Sequence, residues 1–393
     1  MRRRGHVAVL LGGAVLVAAW LFGSAPLAPV GVGLGAAGAL SLTWRRLLAD
    51  RVTIERRAPS RLVEGQRLEI ELRVRGSLLP VGRATVIEHV GALGAQEVPL
   101  RRGRGALVVE PVPRGVYELG PATLVLEDPL GLERVTRAGA TVDRLCVRPR
   151  VVKVGRLFTG RGGRALGGRG RPVRSAAGLE PYGIRDYRDG EPLRSVHWPS
   201  TARRGELMVR ELEEPGRDQL VVVLDGDRAG DVGPRGTSSF DDAVRASAAI
   251  VRTLVAAGRR VRLVVHGSSR ASYAVSSLGA EWEAALDGLA AAQADAHVPV
   301  HTVVGGPRSV TAGAAEVVVV TCRPTIALAR RLGGARRAAL VAVDAPSYAG
   351  PDGSTTSPIL LGLAASGVAV TVVRRGDDLA SALAGTTQER LGA

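Results

Sequence analysis

The sequence predicts an α/β protein in three parts: an N-terminal transmembrane helical hairpin, a small β-sandwich and a doubly wound parallel sheet. Three patterns carry that expectation. Two long, nearly uncharged apolar runs open the chain, short alternating strands fill 51–150, and Val/Leu runs alternate with helical stretches from 218 onward. The boundaries that follow are 1–46 for the hairpin, 47–150 for the β domain, 151–177 for an Arg/Gly-rich linker and 178–393 for the sheet domain.

Residues 6–22 and 27–44 each approach the length a helix needs to cross the hydrocarbon core. Arg2, Arg3 and Arg4 precede the first run, Arg45 and Arg46 follow the second, and the turn Gly23-Ser24-Ala25-Pro26 carries no charge. The positive-inside rule then puts both flanks on the cytoplasmic side of the cell membrane, with the bulk of the chain in the cytoplasm. A cleaved signal peptide is the competing reading, since three arginines, an apolar run and a small-residue turn suit it too. The apolar pattern resumes at once after that turn, which favours a two-helix anchor. Gly31 and Gly35, with Gly38 and Ala39 beyond, would let the second helix approach a neighbour closely.

The formal charge is +16, and Lys153 is the only lysine, so charge has to be read by location. Cys146 and Cys322 stand far apart and outside any CxxC or Cys/His spacing, which indicates neither a disulfide framework nor a zinc site and fits a reducing compartment.

From 67 to 75 the chain alternates strictly. Leu68, Ile70, Leu72 and Val74 occupy one face and Glu69, Glu71, Arg73 and Arg75 the other, as in a half-buried antiparallel strand. Shorter runs at 84–90, 106–110, 123–126 and 140–147, punctuated by Gly and Pro, extend this to a small sandwich. Next, Arg148, Arg150, Lys153, Arg156, Arg161, Arg164, Arg169, Arg171 and Arg174 follow without an acidic residue among them, in a Gly-rich stretch. Nucleic-acid binding would need stacking platforms, and Phe158 is the only aromatic there. A solvated linker near anionic lipid headgroups accounts for the run more simply.

Beyond 218, strands are expected at 219–225, 261–265, 316–321, 338–343 and 368–373. Helices are expected at 240–257, 280–293, 324–332, 358–366 and 378–384. Near-continuous apolar strands alternating with helices mark a sheet covered on both faces.

The stretch 178–214, GLEPYGIRDYRDGEPLRSVHWPSTARRGELMVRELEE, breaks the composition of everything around it. It gathers Tyr182, Tyr187 and Trp198 and interleaves Arg185, Arg188, Arg194, Arg203, Arg204 and Arg210 with Asp186, Asp189, Glu191, Glu206 and Glu211. Arginine forks suit bidentate pairing and stacking on rings, so the segment reads as scaffold, docking surface or both. In the scaffold reading Arg185, Arg194 and Arg203 pair with Asp186, Asp189 and Glu206. In the docking reading Tyr187, Arg188, Trp198 and Arg203 meet a partner.

Tyr187, Asp189-Gly190, Arg194, Trp198, Ala202-Arg203 and Leu207 resemble the signature of the family called domain of unknown function 58, although relatives usually carry Gly-Asp or Gly-Glu where this chain has Asp-Gly. The segment RGVYELGPATLVLEDPLGLERV, 114–135, resembles a second block of the same family. The resemblance implies a von Willebrand factor A-like domain and partnership with a MoxR-type AAA ATPase.

It also implies where to look for chemistry, because ligands of open parallel sheets bind beyond the carboxyl ends of the strands. There the chain reads Asp225-Gly226-Asp227-Arg228-Ala229, whereas metal-binding von Willebrand A domains carry Asp-x-Ser-x-Ser. Asp225 and Asp227 are the candidate ligands for a divalent cation, with Thr237, Ser238 and Ser239 as further hydroxyls. Ala229 cannot donate oxygen, and Thr321-Cys322 stands where Thr-Asp is common. The alternative is a capped strand end, with no cofactor. His197 near Ser195 and Ser200 is the one nucleophile-and-base candidate, and His266 suits a polar rim. Elsewhere no G-x-S-x-G, H-E-x-x-H or Walker A pattern occurs.

These readings converge on a membrane-anchored, non-enzymatic adaptor for a cytosolic protein. Arg-dependent binding of nucleic acid or anionic lipid is the alternative, and a hydrolase using His197 a further one.

Overall fold

A computed structural model describes residues 4–48, 52–76, 82–91, 94–139, 142–158, 174–175, 180–187, 196–213, 220–305, 309–333, 337–350, 360 and 368–385. The side chains of 48, 174–175, 180–186 and 210–213 are outside that set. The chain divides into two compact units, Met1–Val147 and Arg148–Ala393.

The first unit opens with α1 (Arg4–Leu21) and α2 (Leu27–Leu48), both long and apolar enough to cross a membrane. The buried residues of α1 are Gly5, Ala8, Gly12 and Ala19, a stripe of small side chains at helical spacing. A Cβ built on Gly12 would lie 2.5 Å from the Gly35 amide nitrogen and 2.7 Å from the Gly31 carbonyl oxygen, and one on Gly38 would lie 2.6 Å from the Gly5 carbonyl oxygen. The glycines of α2 therefore meet the glycines of α1, antiparallel, with backbone against backbone. Leu10, Trp20, Phe22 and Leu40 point outward.

Among the described residues ten strands follow: β1 (Thr53–Arg57), β2 (Arg61–Val63), β3 (Leu68–Arg75), β4 (Arg83–His89), β5 (Ala95–Pro99), β6 (Arg104–Val109), β7 (Gly115–Leu119), β8 (Ala122–Glu127), β9 (Arg134–Gly139) and β10 (Asp143–Arg148). They form sheets ordered β1-β3-β6, β2-β10-β7 and β5-β4-β8-β9, whose pairings are antiparallel wherever a register is defined. The alternation in β3 behaves as the sequence predicts: Leu68, Ile70 and Leu72 are fully buried and join Val86, Leu124 and Leu145 from the other sheets in one core. Arg56 crosses it, pairing with the buried Glu88 and donating to the carbonyls of Gly120 and Leu119. Burial pushes the Glu88 carboxyl up against the pull of Arg56.

In the second unit, residues 148–158 run over the sheet domain although the sequence suggests that the linker begins at 151. Val154, Leu157 and Phe158 join its core, and the Phe158 amide donates to the Leu383 carbonyl at 3.2 Å. Apolar residues set among the arginines make the difference. Arg148 pairs with Glu283 and, at 2.7 Å, with Asp287, which raise its pKa against the opposing effect of burial.

A small antiparallel sheet, β11 (Arg174–Ser175), β12 (Glu180–Asp186) and β13 (Met208–Glu213), is ordered β11-β13-β12, with the helix α3 (Trp198–Arg204) between β12 and β13 in sequence. The main domain then runs β14 (Leu220–Asp225), α4 (Ser239–Ala256), β15 (Val261–His266), β16 (Arg270–Val275), α5 (Ala280–Ala291), β17 (Glu316–Thr321), α6 (Ile326–Gly333), β18 (Ala338–Val343), α7 (Pro346–Ala349), β19 (Ala369–Val373) and α8 (Leu379–Ala384). Its six strands are ordered β16-β15-β14-β17-β18-β19. All neighbours are parallel except β16, which folds back on β15 as an antiparallel edge the sequence reading did not foresee. Only every second residue of β16 faces inward, so it lacks the continuous apolar run of its neighbours.

Buried residues of α4, α5 and α8 cover one face of this sheet and those of α6 the other. The doubly wound architecture is thus present, although the expected helix at 358–366 lies outside the described residues apart from Leu360. A capping box of Ser238 with Asp241 starts α4 and so fixes the loop that follows β14.

Candidate functional site

The carboxyl ends of β14 and β17 meet at Asp225 and Thr321. Asp225 is 3% exposed. Its Oδ2 accepts from the Thr321 hydroxyl at 2.7 Å and its Oδ1 from the Asp227 amide at 3.2 Å. Burial pushes its pKa up, countered chiefly by the Thr321 hydrogen bond and the nearby His266. Gly226 is required by space, since an added Cβ would sit 2.5 Å from the His266 carbonyl oxygen. Asp227 Oδ1 accepts from the Ala229 amide at 2.9 Å, capping a short turn of 3-10 helix, and its other oxygen meets Arg323 at 3.2 Å.

Asp225 and Asp227 are the candidate ligands for a divalent cation at this rim, and the side chains present do not fit one. A hard cation asks for about six oxygens or more. Here both Asp225 oxygens already accept hydrogen bonds, and Asp227 is divided between a backbone amide and a guanidinium. The Thr321 hydroxyl accepts from the Arg323 amide at 3.0 Å while donating to Asp225. Ser239 donates to the Gly230 carbonyl at 2.6 Å and accepts from the Val232 amide at 2.9 Å, Thr237 turns to the Pro234 carbonyl, and Ser238 serves the capping box. Among the described residues no group of three His, Cys, Asp or Glu side chains converges as a ligand set. Arg323 supplies positive charge next to Asp227, a pairing between positions 96 apart that is visible only once the chain is folded.

Other rim groups are structural. His266 donates from Nε2 to the Val298 carbonyl at 2.7 Å. Cys322 is buried, and burial pushes its thiol well up, away from nucleophilic use. The Tyr348 hydroxyl donates to Asp242, which also binds Arg245 at 2.6 Å, and burial raises the phenol pKa.

The second candidate region is the segment around α3. The Tyr187 amide donates to the Leu207 carbonyl at 2.8 Å, the His197 amide to the Met208 carbonyl at 2.7 Å, and the Met208 amide to the Thr201 hydroxyl at 3.0 Å. Val196, Met208 and Val209 are buried. Pro199 starts the helix and Gly205, at φ 75°, ends it. This frame holds Trp198 outward, 62% exposed, with Arg203, Arg204 and Leu207 also exposed.

Tyr187 is half-buried. Arg203 and Glu206 are both exposed. Arg188, Asp189 and Arg194 lie outside the described residues, and Arg185 is placed only as backbone in β12, opposite Val209. His197 Nδ1 lies 2.8 Å from Ser200 Oγ within the first turn of α3, and Ser195 lies outside the described residues. The structure finds Trp198 exposed, where the sequence alone leaves open whether it stacks on arginine or faces a partner.

A family model described as "Protein of unknown function DUF58" matches residues 183–299. The matched segment runs from β12 through α3, β14 and α4 to the loop after α5. It contains Asp225, Asp227 and Trp198, but not Thr321 or the block at 114–135. No curated protein matches the chain. Residues 183–299 are thus a segment of the family described as Protein of unknown function DUF58.

Proposed function

We propose that this protein is a membrane-anchored, non-enzymatic adaptor whose α/β domain docks a cytosolic protein through the exposed face of α3, the partner being a MoxR-type AAA ATPase. The observation that carries the reading is Trp198, a large aromatic held outward on a short helix that is itself fixed to Met208 of β13 by hydrogen bonds from the His197 amide and to the Thr201 hydroxyl. Aromatic and arginine side chains on a rigid support are typical anchors of interfaces, and Arg203 and Leu207 flank this one. The rim at Asp225 supports the non-enzymatic half of the proposal, since its polar groups are engaged in holding strand ends together. The glycine contacts between α1 and α2 support a retained hairpin over a cleaved leader, because removing α1 would strip α2 of its packing partner. The charge flanks then orient the body toward the cytoplasm.

The test is the affinity of the detergent-purified full chain for a MoxR-type ATPase from the same cells. Trp198→Ala should weaken it by about 2 kcal/mol, roughly 30-fold. Equal affinity for wild type and variant would remove α3 from the interface.

A further inference from the structure

We propose that a cavity between the C-terminal end of α2 and the 128–131 turn receives an acyl chain of a bilayer phospholipid. This rests on the membrane reading of the hairpin. The cavity measures about 320 Å³, within the size range of small-ligand sites. Leu40, Trp44, Leu47, Pro129 and Leu130 supply its carbon walls. The polar groups beside them are engaged elsewhere: the Ser41 hydroxyl donates to Asp128 Oδ2 at 2.5 Å, Asp128 Oδ1 accepts from the Glu133 amide at 3.0 Å, and the Thr43 hydroxyl donates to the Ala39 carbonyl at 2.9 Å. A polar occupant would lose its hydration and find few partners in return, whereas an acyl chain has none to lose.

The location selects the lipid. Residues Leu40 to Leu47 cover about 10 Å of helix at 1.5 Å per residue, at the far end of an apolar run that begins at Leu27. That depth is the boundary between acyl chains and headgroups. Leu130, at the tip of the turn, is 54% exposed, and Leu40 and Leu47 are exposed beside it, continuing the outward apolar surface of α2. The turn is fixed at that depth by both helices, since Glu133 accepts from the Gly5 amide of α1 at 3.2 Å and pairs with Arg45 of α2 at 3.1 Å. Arg46, exposed in the last turn of α2, is placed to meet the phosphate of the same lipid.

The test reconstitutes the full chain, with Cys146 and Cys322 replaced by alanine, into phosphatidylglycerol/phosphatidylcholine vesicles. An environment-sensitive fluorophore is placed on Leu130→Cys, Leu11→Cys or Thr237→Cys, and doxyl lipids labelled near the headgroup or deep in the chain act as quenchers. The expected result is quenching of position 130 by the shallow label, of position 11 by the deep label, and of position 237 by neither. Position 130 silent while position 11 is quenched would overturn the lipid site and leave the membrane anchor standing. Silence at both would overturn both. Native mass spectrometry of the detergent-purified chain gives a second readout: one retained phospholipid per chain, lost in Leu130→Asp, is expected, and equal retention by the variant would count against the cavity.

Discussion

Thr321 donates its hydroxyl to Asp225 across neighbouring parallel strands, at 2.7 Å, closing the carboxyl edge of the sheet around a buried carboxylate. Because burial raises the Asp225 pKa above the ordinary aspartate value of 3.8, the folded state holds a proton that the unfolded chain releases between those two values. The associated stability is full below the unfolded value and is lost as pH rises through the folded one. Melting the full chain against Asp225→Asn at about pH 4 and about pH 7 should therefore show wild type gaining on the variant at the lower pH. A gap that moves the other way would mean that hydrogen bonds, not burial, dominate the site.

The same geometry predicts indifference to magnesium. A ligand that binds only the folded state stabilises it by RT ln(1 + [L]/Kd), so roughly millimolar magnesium should leave the melt unmoved unless affinity is sub-millimolar. Arg323→Ala should cost no more than about 1 kcal/mol, the pair with Asp227 being largely solvent-exposed. A magnesium-dependent rise that disappears in Asp225→Ala would show that these oxygens rearrange to take the ion.

Two adjacent glycines test the hairpin. Gly12→Leu drives a side chain into the backbone of Gly31 and Gly35, whereas Gly13→Leu meets nothing within 4 Å. The first should destabilise the detergent-solubilised chain by about 1–3 kcal/mol and the second hardly at all. Equal effects would mean that the helices do not pack as described.

Around α3, exposure separates anchors from frame. Met208 is buried and its replacement by alanine should cost about 2–5 kcal/mol. Trp198→Ala and Arg203→Ala should leave the melt within about 0.5 kcal/mol of wild type. A large stability loss at Trp198 would make it part of the scaffold.

Most of the fold was legible because burial leaves a periodic trace. The two-residue period of β3, the Val runs of β14 and β17 and the helices α4, α5, α6 and α8 all carry it. What escaped lacked that trace. β16 is half-polar, β1 and β2 are short, and Val154 and Phe158 are apolar residues hidden among arginines. At the site, Asp225 and Asp227 were visible as a strand end. The part played by Arg323 was not, since a pairing over 96 positions has no local pattern. Trp198 was visible as an oddity of composition, but whether it faces solvent depends on how α3 seats against β13.

The proposed docking of α3 to a cytosolic partner can be caught in place. Its most direct test places a photo-crosslinking residue at position 198 of the full chain in living cells and identifies what is attached in the membrane fraction. A crosslink to a MoxR-type ATPase, absent when the probe sits at position 237, is the expected result. No adduct at 198, with the ATPase still co-purifying with the Trp198→Ala chain, would contradict it.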